Sequence, residues 1–520
     1  MSYSSFEFLA FLALVILVYY CVPRRVRWCV LLAASYAFYL IDGIKQVFFI
    51  IGTTIVTYTG AMIMQKKRDK YKEKLAADPA LSREEKQEMK KAVTASINRV
   101  KTIAVLIDLG ALIVVKYLNF LISGANSFIS LFSENGSIPT LKILVPLGIS
   151  FYTFMSMGYL IDIGKGKYEA ERNIGKLALF VSFFPSVIQG PINRYDQVGP
   201  QLIEGHKLEY NNLKFGAQLM LWGFFKKLVI ADRVAPFVAT VFSASYDQYS
   251  GTMLFVGMLG YALQIYADFS GGIDITIGAA QMLGIDLPKN FERPYFSQSL
   301  AEYWRRWHKT LGEWMREYVF YPIMLSKFVS NISKKVKAKK DNQAAKVVTS
   351  VITTFTVFLL IGIWHGASYQ YVAFGLYNAT LVALSVALEP LFKKMTEKLK
   401  INEERFSWKL FRIVRTFMIT GISKILVRAP GFVAALHIIG KICTDVDLDI
   451  DGIYTMGIDR RNMFLLFVAT LVLIVVSILQ ERGVKLRETI AEQGIVFRWL
   501  IYLTAVVVVL VFGMYGPEFN

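Results

Sequence analysis

Cysteine is nearly missing from this chain. Its 520 residues hold three, Cys21, Cys29 and Cys443. The first two lie in or beside apolar stretches and the third stands alone, which excludes a disulfide framework and any zinc-binding spacing. No residue nearby would activate one of them as a catalytic thiol. Histidine is almost as scarce, at four copies. The opening "MSYSSFE" lacks the basic start of a cleavable signal, and no small-residue cleavage site follows, so the first apolar run is expected to remain as a helix. There is no internal repeat and no polar stretch large enough for a soluble domain. Acidic residues are in deficit, 39 against 58 Lys and Arg, for a formal charge of +19.

That basic excess does not indicate nucleic acid. The Lys and Arg residues cluster in gaps between apolar windows, the pattern that fixes orientation in a bilayer and attracts anionic lipid. With 55% hydrophobic residues the chain is too apolar for an ordinary soluble enzyme. "FEFLAFLALVILVYYCV", "VFFIIGTTIVTYTGAMIM", "RNMFLLFVATLVLIVVSILQ" and "WLIYLTAVVVVLVFGMYG" are each long enough to cross a membrane, which takes roughly 20 apolar residues in a helix. About a dozen such windows predict an all-α, polytopic integral membrane protein. The short alternating segments of a β-barrel are not seen.

The charges also predict a topology. "PRRVR" after the first window and "QKKRDKYKEKLAADPALSREEKQEMKKAVTASINRVK" after the third belong on the cytoplasmic side, so the amino terminus is expected outside. The fourth window, Thr102 to Ile122, leads to "SGANSFISLFSENGSIPT", which has no Lys or Arg and fits the outer face. Within the basic segment 65–101, Ser82 and Glu85 have capping-box spacing. A short amphipathic helix on the inner membrane face, or a solvated charged linker, is expected there. The window ending near His365 should run from inside to outside and leave His365 toward the outer face.

Between Val145 and Asn378 the polar residues are unusual. "VPLGISFYTF" and "FFPSVIQGPINRYDQ" place Pro and Gly where they should break helices, and such backbone survives at membrane depth only when buried in protein or lining a wet cavity. The second is expected to expose Asn193, Arg194 and Asp196, and 193–212 reads as a structured loop. "YADFSGGIDITIG" carries Asp268, Ser270 and Asp274 among apolar stretches. Such acids either face a cavity or pair with a cation that fastens helices, and Arg194, Arg305 and Arg306 are the candidate partners. In "SQSLAEYWRRWHKTLGEWM", Ser299 and Glu302 predict a helix starting at Leu300. On it Trp304, His308, Leu311 and Met315 would share a face, with Arg305 beside them. A histidine in such a place is either a packed, hydrogen-bonded residue or a reactive one. His365 in "GIWHGASYQYVAF" poses the same question. His206 reads as a surface group, and His437 in "FVAALHIIG" lies, like His365, in an apolar context.

"ILVPLGISFYTF", "FFPSVIQGPINRYDQ", "YADFSGGIDITIG", "LPKNFERPYFSQSLAEYWRRWHKTLGEWMREYVFYP" and "GIWHGASYQYVAFGLYNA" follow in order across residues 143–379. Together they resemble the bacterial branch of the membrane-bound O-acyltransferase (MBOAT) family, especially its alginate O-acetylation members and more distantly its teichoic-acid D-alanyl transfer members. The resemblance implies one membrane domain, 1–520, with its motif-bearing core at 143–379: tilted and broken helices around a central chamber open to both membrane faces. It maps the family's key histidine to His365 and its second to His308. Trp304, Arg305, Asp268, Ser270, Asn193 and Trp364 are the accompanying candidates for substrate contact. After "YVFYP" the chain reads "IMLSKFVSNISKK" in place of the alginate branch's Gly-Gly-Asn-Arg turn, so alginate itself does not follow as acceptor.

The implied chemistry is acyl transfer from a cytoplasmic thioester, acetyl-CoA or an acylated phosphopantetheine, to a hydroxyl, with no metal and no bound cofactor required. His365 would be the base, and His308 would orient the thioester or stabilise the oxyanion. A serine-hydrolase-like extracytoplasmic acyl acceptor, a polysaccharide and an acyl carrier protein are the implied partners, with the cell membrane as location. D-alanyl transfer to teichoic acid is the alternative. A polysaccharide or lipid transporter is the competing class, since broken helices and intramembrane acids also mark transporters.

Overall fold

The computed structural model describes residues 1–132, 137–447, 450–454 and 456–516; positions 133–136 of the loop that lacks Lys and Arg lie outside the described residues. Every regular element described is a helix. Among the described residues seven helices are long and apolar enough to cross a membrane, and two shorter ones are also apolar. The protein is an all-α membrane protein. Its chain divides into two compact units, Met1–Ala217 with Thr276–Pro288, and Gln218–Ile275 with Lys289–Asn520.

The first unit contains α1 (Phe6–Cys21), α2 (Arg27–Asp42), α3 (Ile44–Ala77), α4 (Arg83–Ile129), α5 (Ile149–Lys165), α6 (Ile174–Ser182), α7 (Tyr195–Glu204) and the start of α8 (Tyr210–Phe224). The basic segment 65–101 is not a separate short helix. It is the far end of α3, a turn, and the first turns of the 47-residue α4. The Ser82–Glu85 capping box forms in full and starts α4. Once started, α4 meets no Pro to stop it, so charged and apolar stretches share one rod.

The Pro- and Gly-rich motifs break the backbone as expected. Gly148 has φ +70, and an added Cβ would lie 2.0 Å from the Val187 carbonyl oxygen. Only glycine fits that approach. The irregular stretch around Phe183, Phe184 and Val187 is buried, and its backbone finds partners inside the unit. Ser35 Oγ accepts from Phe184 N–H at 3.1 Å, and Tyr3 Oη donates to the Phe184 carbonyl at 2.6 Å. Buried backbone polar groups must be paired in this way.

Three expectations change here. Asn193 is buried, and its Nδ2 donates to Ser186 Oγ at 2.9 Å. The stretch 193–212 is mostly helix, because Tyr195–Glu204 forms α7. His206 is half-buried, and Gly284 packs against its side chain.

The second unit takes up the rest of α8, from Gln218, and continues with a π-helical stretch, Phe225–Ala231, then α9 (Asp232–Val241) and α10 (Gly251–Met282), whose last residues belong to the first unit. The short α11 (Leu300–Arg306), α12 (Lys309–Met315) and α13 (Tyr321–Met324) follow, then α14 (Lys327–Lys339), α15 (Asn342–His365), α16 (Tyr369–Lys398) and α17 (Phe406–Arg428). The unit closes with α18 (Phe432–Thr444), α19 (Ile450–Ile453), α20 (Arg460–Glu481), α21 (Leu486–Ala491) and α22 (Ile495–Phe512). α15 and α16 form a tight hairpin. A Cβ at Gly362 would stand 2.6 Å from Gly375 Cα, so the two helices touch backbone to backbone. His437 is exposed on α18 and pairs with Asp247 at 3.2 Å.

G148A is expected to destabilise the detergent-solubilised protein by roughly 3 kcal/mol, from left-handed backbone plus the carbonyl clash. G110A, at a helical glycine with nothing within 4 Å, should leave thermal stability unchanged or slightly raised. Thermal unfolding of the two variants in the same detergent checks the contrast.

Candidate active site

His308 does not lie on a helix face. α11 ends at Arg306, Trp307 is extended, and His308 adopts φ 46, ψ 54 before α12 starts at Lys309. The expected single helix with Trp304, His308, Leu311 and Met315 aligned is therefore two helices with His308 at the joint. The Ser299 N-cap does form, accepting from Glu302 N–H at 3.2 Å. The reciprocal bond is displaced by one residue, since Glu302 accepts from Gln298 N–H at 2.8 Å.

Left-handed backbone at a non-glycine residue is uncommon and needs support from its surroundings. Asn290 provides it. Its carbonyl accepts from Lys309 N–H at 2.9 Å. Its side-chain Oδ1 accepts from Thr310 N–H at 3.1 Å and from Thr310 Oγ1 at 2.9 Å, and lies 3.1 Å from His308 Nδ1. The Thr310 backbone N–H can only donate, so the atom it meets is the amide oxygen. His308 Nδ1 must then carry the proton. In the neutral ring this leaves the lone pair on Nε2, which is buried and has no hydrogen-bond partner among the described residues.

His308 is 3% exposed and lies outside the membrane-crossing helices. Burial, and secondarily the neighbouring His365, pushes its imidazole down to about 3. The ring is neutral at working pH, an acceptor at Nε2 and a fixed donor at Nδ1.

His365 is the last residue of α15. Its ring lies 4.9 Å from that of Trp364, stacks near-parallel on Tyr371 at 6.0 Å, and meets Phe374 edge-on at 5.6 Å. The glycine of "WHG" has a steric cause, because a Cβ at Gly366 would enter the Tyr371 ring at 2.2 Å. Trp364 also meets His308, with centroids 5.9 Å apart. One indole thus stands against both imidazoles, although 57 positions separate them in the chain (365 − 308). Trp304 closes the same enclosure through Phe374 at 6.1 Å and Phe358 at 5.3 Å. Its indole N–H is buried and without a partner among the described residues.

The acidic motif is part of an ion-pair network. Asp268 pairs with Lys227 at 2.8 Å, and Lys227 also meets Asp232 at 2.8 Å. Asp274 pairs with Lys226 at 2.8 Å, and Ser270 Oγ accepts from the same ammonium at 2.9 Å. The expected arginine partners are replaced by two lysines on the π-helical stretch, which the sequence reading passed over in "FFKKLVIADR". Arg306 instead pairs with Glu302 at 2.7 Å and Glu481 at 2.8 Å, and Arg305 is exposed. Asp268 keeps a side chain 45% exposed, so it retains access that Ser270 and Lys226 lack. Asn193 belongs to the first unit and is held there by Ser186. Phe269 joins α10 to the site with its ring 4.9 Å from that of His308. Asn290 was also missed, and "PKNFERP" carries no signal that it reaches a residue 18 positions later.

A buried histidine, a second histidine within the same set of aromatic rings and an all-helical, apolar body fit an acyl-transferring membrane enzyme. The family model described as membrane-bound O-acyltransferase matches residues 172–338, which include His308. The chain is 33% identical over 390 residues to an Azotobacter vinelandii protein named probable alginate O-acetylase, covering 75% of this chain and 69% of the relative. A Pseudomonas syringae protein of the same name is 31% identical over 448 residues, 85% and 74% of the two chains. The teichoic acid D-alanyltransferase of Bacillus subtilis is 30% identical over 282 residues, 54% of this chain and 67% of its own. The chain belongs to the membrane-bound O-acyltransferase family, and it is an acyltransferase.

N290D keeps the acceptor but sets a carboxylate against His308, which favours the imidazolium and raises its pKa. The pH–rate profile should then gain an acid limb one or more pH units above any seen in the parent. N290A, which strips the acceptor from three donors, should lose roughly 1–3 kcal/mol of stability by thermal unfolding.

Proposed function

We propose that the protein transfers an acyl group, acetyl by preference, from a cytoplasmic thioester to a hydroxyl acceptor on the other side of the membrane, in the O-acetylation of a surface or exported polysaccharide. The reading is supported most by the convergence of His308, His365 and Trp364 in one aromatic enclosure.

In this mechanism the acceptor hydroxyl attacks the thioester carbonyl carbon while His365 removes its proton. The carbon–sulfur bond then breaks, and the imidazolium returns the proton to the departing thiolate, releasing CoA or pantetheine as free thiol. A neutral histidine is suited to both transfers, and such assistance contributes roughly 10²–10⁴-fold. His308 does not act as the oxyanion donor, because its Nε2 carries the lone pair. It orients the donor by accepting a hydrogen bond, for which a pantetheine amide N–H is the matching group. The unpartnered Trp304 indole N–H is the donor available to the developing oxyanion, a task that preorganised N–H groups perform well in dry sites.

The donor enters from the cytoplasm and the acceptor from outside, with the amino terminus outside, so the acyl group crosses while its carrier does not. A polysaccharide, or a serine-hydrolase-like protein that relays the acyl group to one, takes the product, and the protein resides in the cytoplasmic membrane. The D-alanyl alternative draws on the Bacillus subtilis relative, whose name specifies D-alanyl transfer to teichoic acid.

Purified protein incubated with radiolabelled acetyl-CoA should release free CoA thiol in a reaction stimulated by a hydroxyl acceptor. H365A should slow that release by about 10²-fold or more. Wild-type turnover in H365A would remove the proposed base, and activity confined to a D-alanyl carrier thioester would move the assignment to the alternative.

A further inference from the structure

A buried lysine stands beside the histidine joint, and the mechanism above does not use it. Lys424 on α17 is 5% exposed. Among the described residues no carboxylate meets it. Its Nζ donates to the Thr420 carbonyl at 3.2 Å and otherwise faces three rings: Tyr295 at 5.1 Å, Tyr303 at 5.3 Å and Trp307 at 5.8 Å. A methionine or leucine would fill this space with no ammonium to desolvate. Ring faces carry negative potential and replace part of the lost hydration, which makes the site a cation–π box.

The box walls lead directly to His308. Tyr303 and Trp307 stack at 5.7 Å and 18°, and Trp307 N–H donates to the Tyr303 carbonyl at 2.8 Å. Trp307 is the residue before His308 and carries the extended backbone that enters the left-handed joint. Phe291 presses edge-on against Trp307 at 5.1 Å and meets Phe269 at 5.0 Å, and Phe269 abuts the His308 ring. Asn290 thus fixes one side of His308 by hydrogen bonds. The other side adjoins Trp307, whose ring lies 5.8 Å from Lys424 Nζ.

We propose that Lys424 is a positioning residue for acyl transfer, holding Trp307 by cation–π attraction so that His308 Nε2 points into the site. The inference rests on the acyl-transfer reading above. It predicts that charge, not length, is what the position requires, because arginine also stacks on aromatic faces.

The test measures CoA release from acetyl-CoA by full-length detergent-purified protein carrying K424M, K424R, H308A or K424M with H308A. K424M is expected to lower kcat by roughly 10- to 100-fold, the scale of a misplacement of about 1 Å, with KM changed less than about twofold. K424R should restore most of kcat. In the H308A background K424M should cost nothing further, since its effect passes through the missing ring. Should K424M not accumulate as folded protein, K424Q provides the uncharged side chain. The proposal is overturned if the uncharged variant keeps wild-type kcat, if K424R is as impaired as K424M, or if the two losses multiply in the double variant. Failure of the acyl-transfer reading would look different, as wild-type protein that releases no CoA, whereas full turnover in H308A would overturn the proposal by removing the ring through which Lys424 is said to act.

Discussion

One amide oxygen fixes the chemistry of this site. Asn290 Oδ1 meets three groups, the Thr310 N–H, the Thr310 hydroxyl and His308 Nδ1, and because the first can only donate, the tautomer of His308 follows from elementary hydrogen-bond rules. The same contacts hold a left-handed residue between two short helices. Without that joint, α11 and α12 would continue as one rod and the imidazole would lie along a helix face. The catalytic proposal therefore depends on a side chain that need not touch substrate.

A second constraint is the cost of polar groups away from water. The protein meets it in each unit by pairing them locally. In the first unit, broken backbone around Phe184 is satisfied by Tyr3 and Ser35. In the second, Asp268 and Asp274 are each met by a lysine from the π-helical stretch. π-Helical turns are rare and recur at functional sites, and here the turn presents adjacent lysines to successive acids of α10. Such pairing explains how a helix bearing two carboxylates can stand among apolar helices. Glycine does comparable work for packing, since Gly362 and Gly375 let α15 and α16 touch and so place His365 at the hairpin's end.

Much of this was legible in the residues. Apolar windows and the breaks at Gly148 and Pro185 required only composition and backbone sterics. His308 and His365 stood out because so few histidines occur and because their surroundings are apolar. What escaped has a common physical cause. Helical spacing assumes that a helix continues, and nothing local in "YWRRWHKT" announces a left-handed residue stabilised from position 290. The lysine partners of Asp268 and Asp274 were likewise hidden, because pairing across helices is set by packing and leaves no spacing signature. Asn193 looked exposed because it follows Pro191, yet its amide is drawn inward by Ser186.

The central claim is that a thioester carbonyl can sit between the two imidazoles. The most direct test is a cryo-electron microscopy structure with a ketone analogue of acetyl-CoA, in which a methylene group replaces the sulfur and transfer is blocked. The account predicts the ketone carbon within reach of His365, the analogue's pantetheine amide at His308 Nε2, and its oxygen at the Trp304 indole N–H. An analogue bound elsewhere, with both imidazoles still enclosed by their aromatic neighbours, would contradict it.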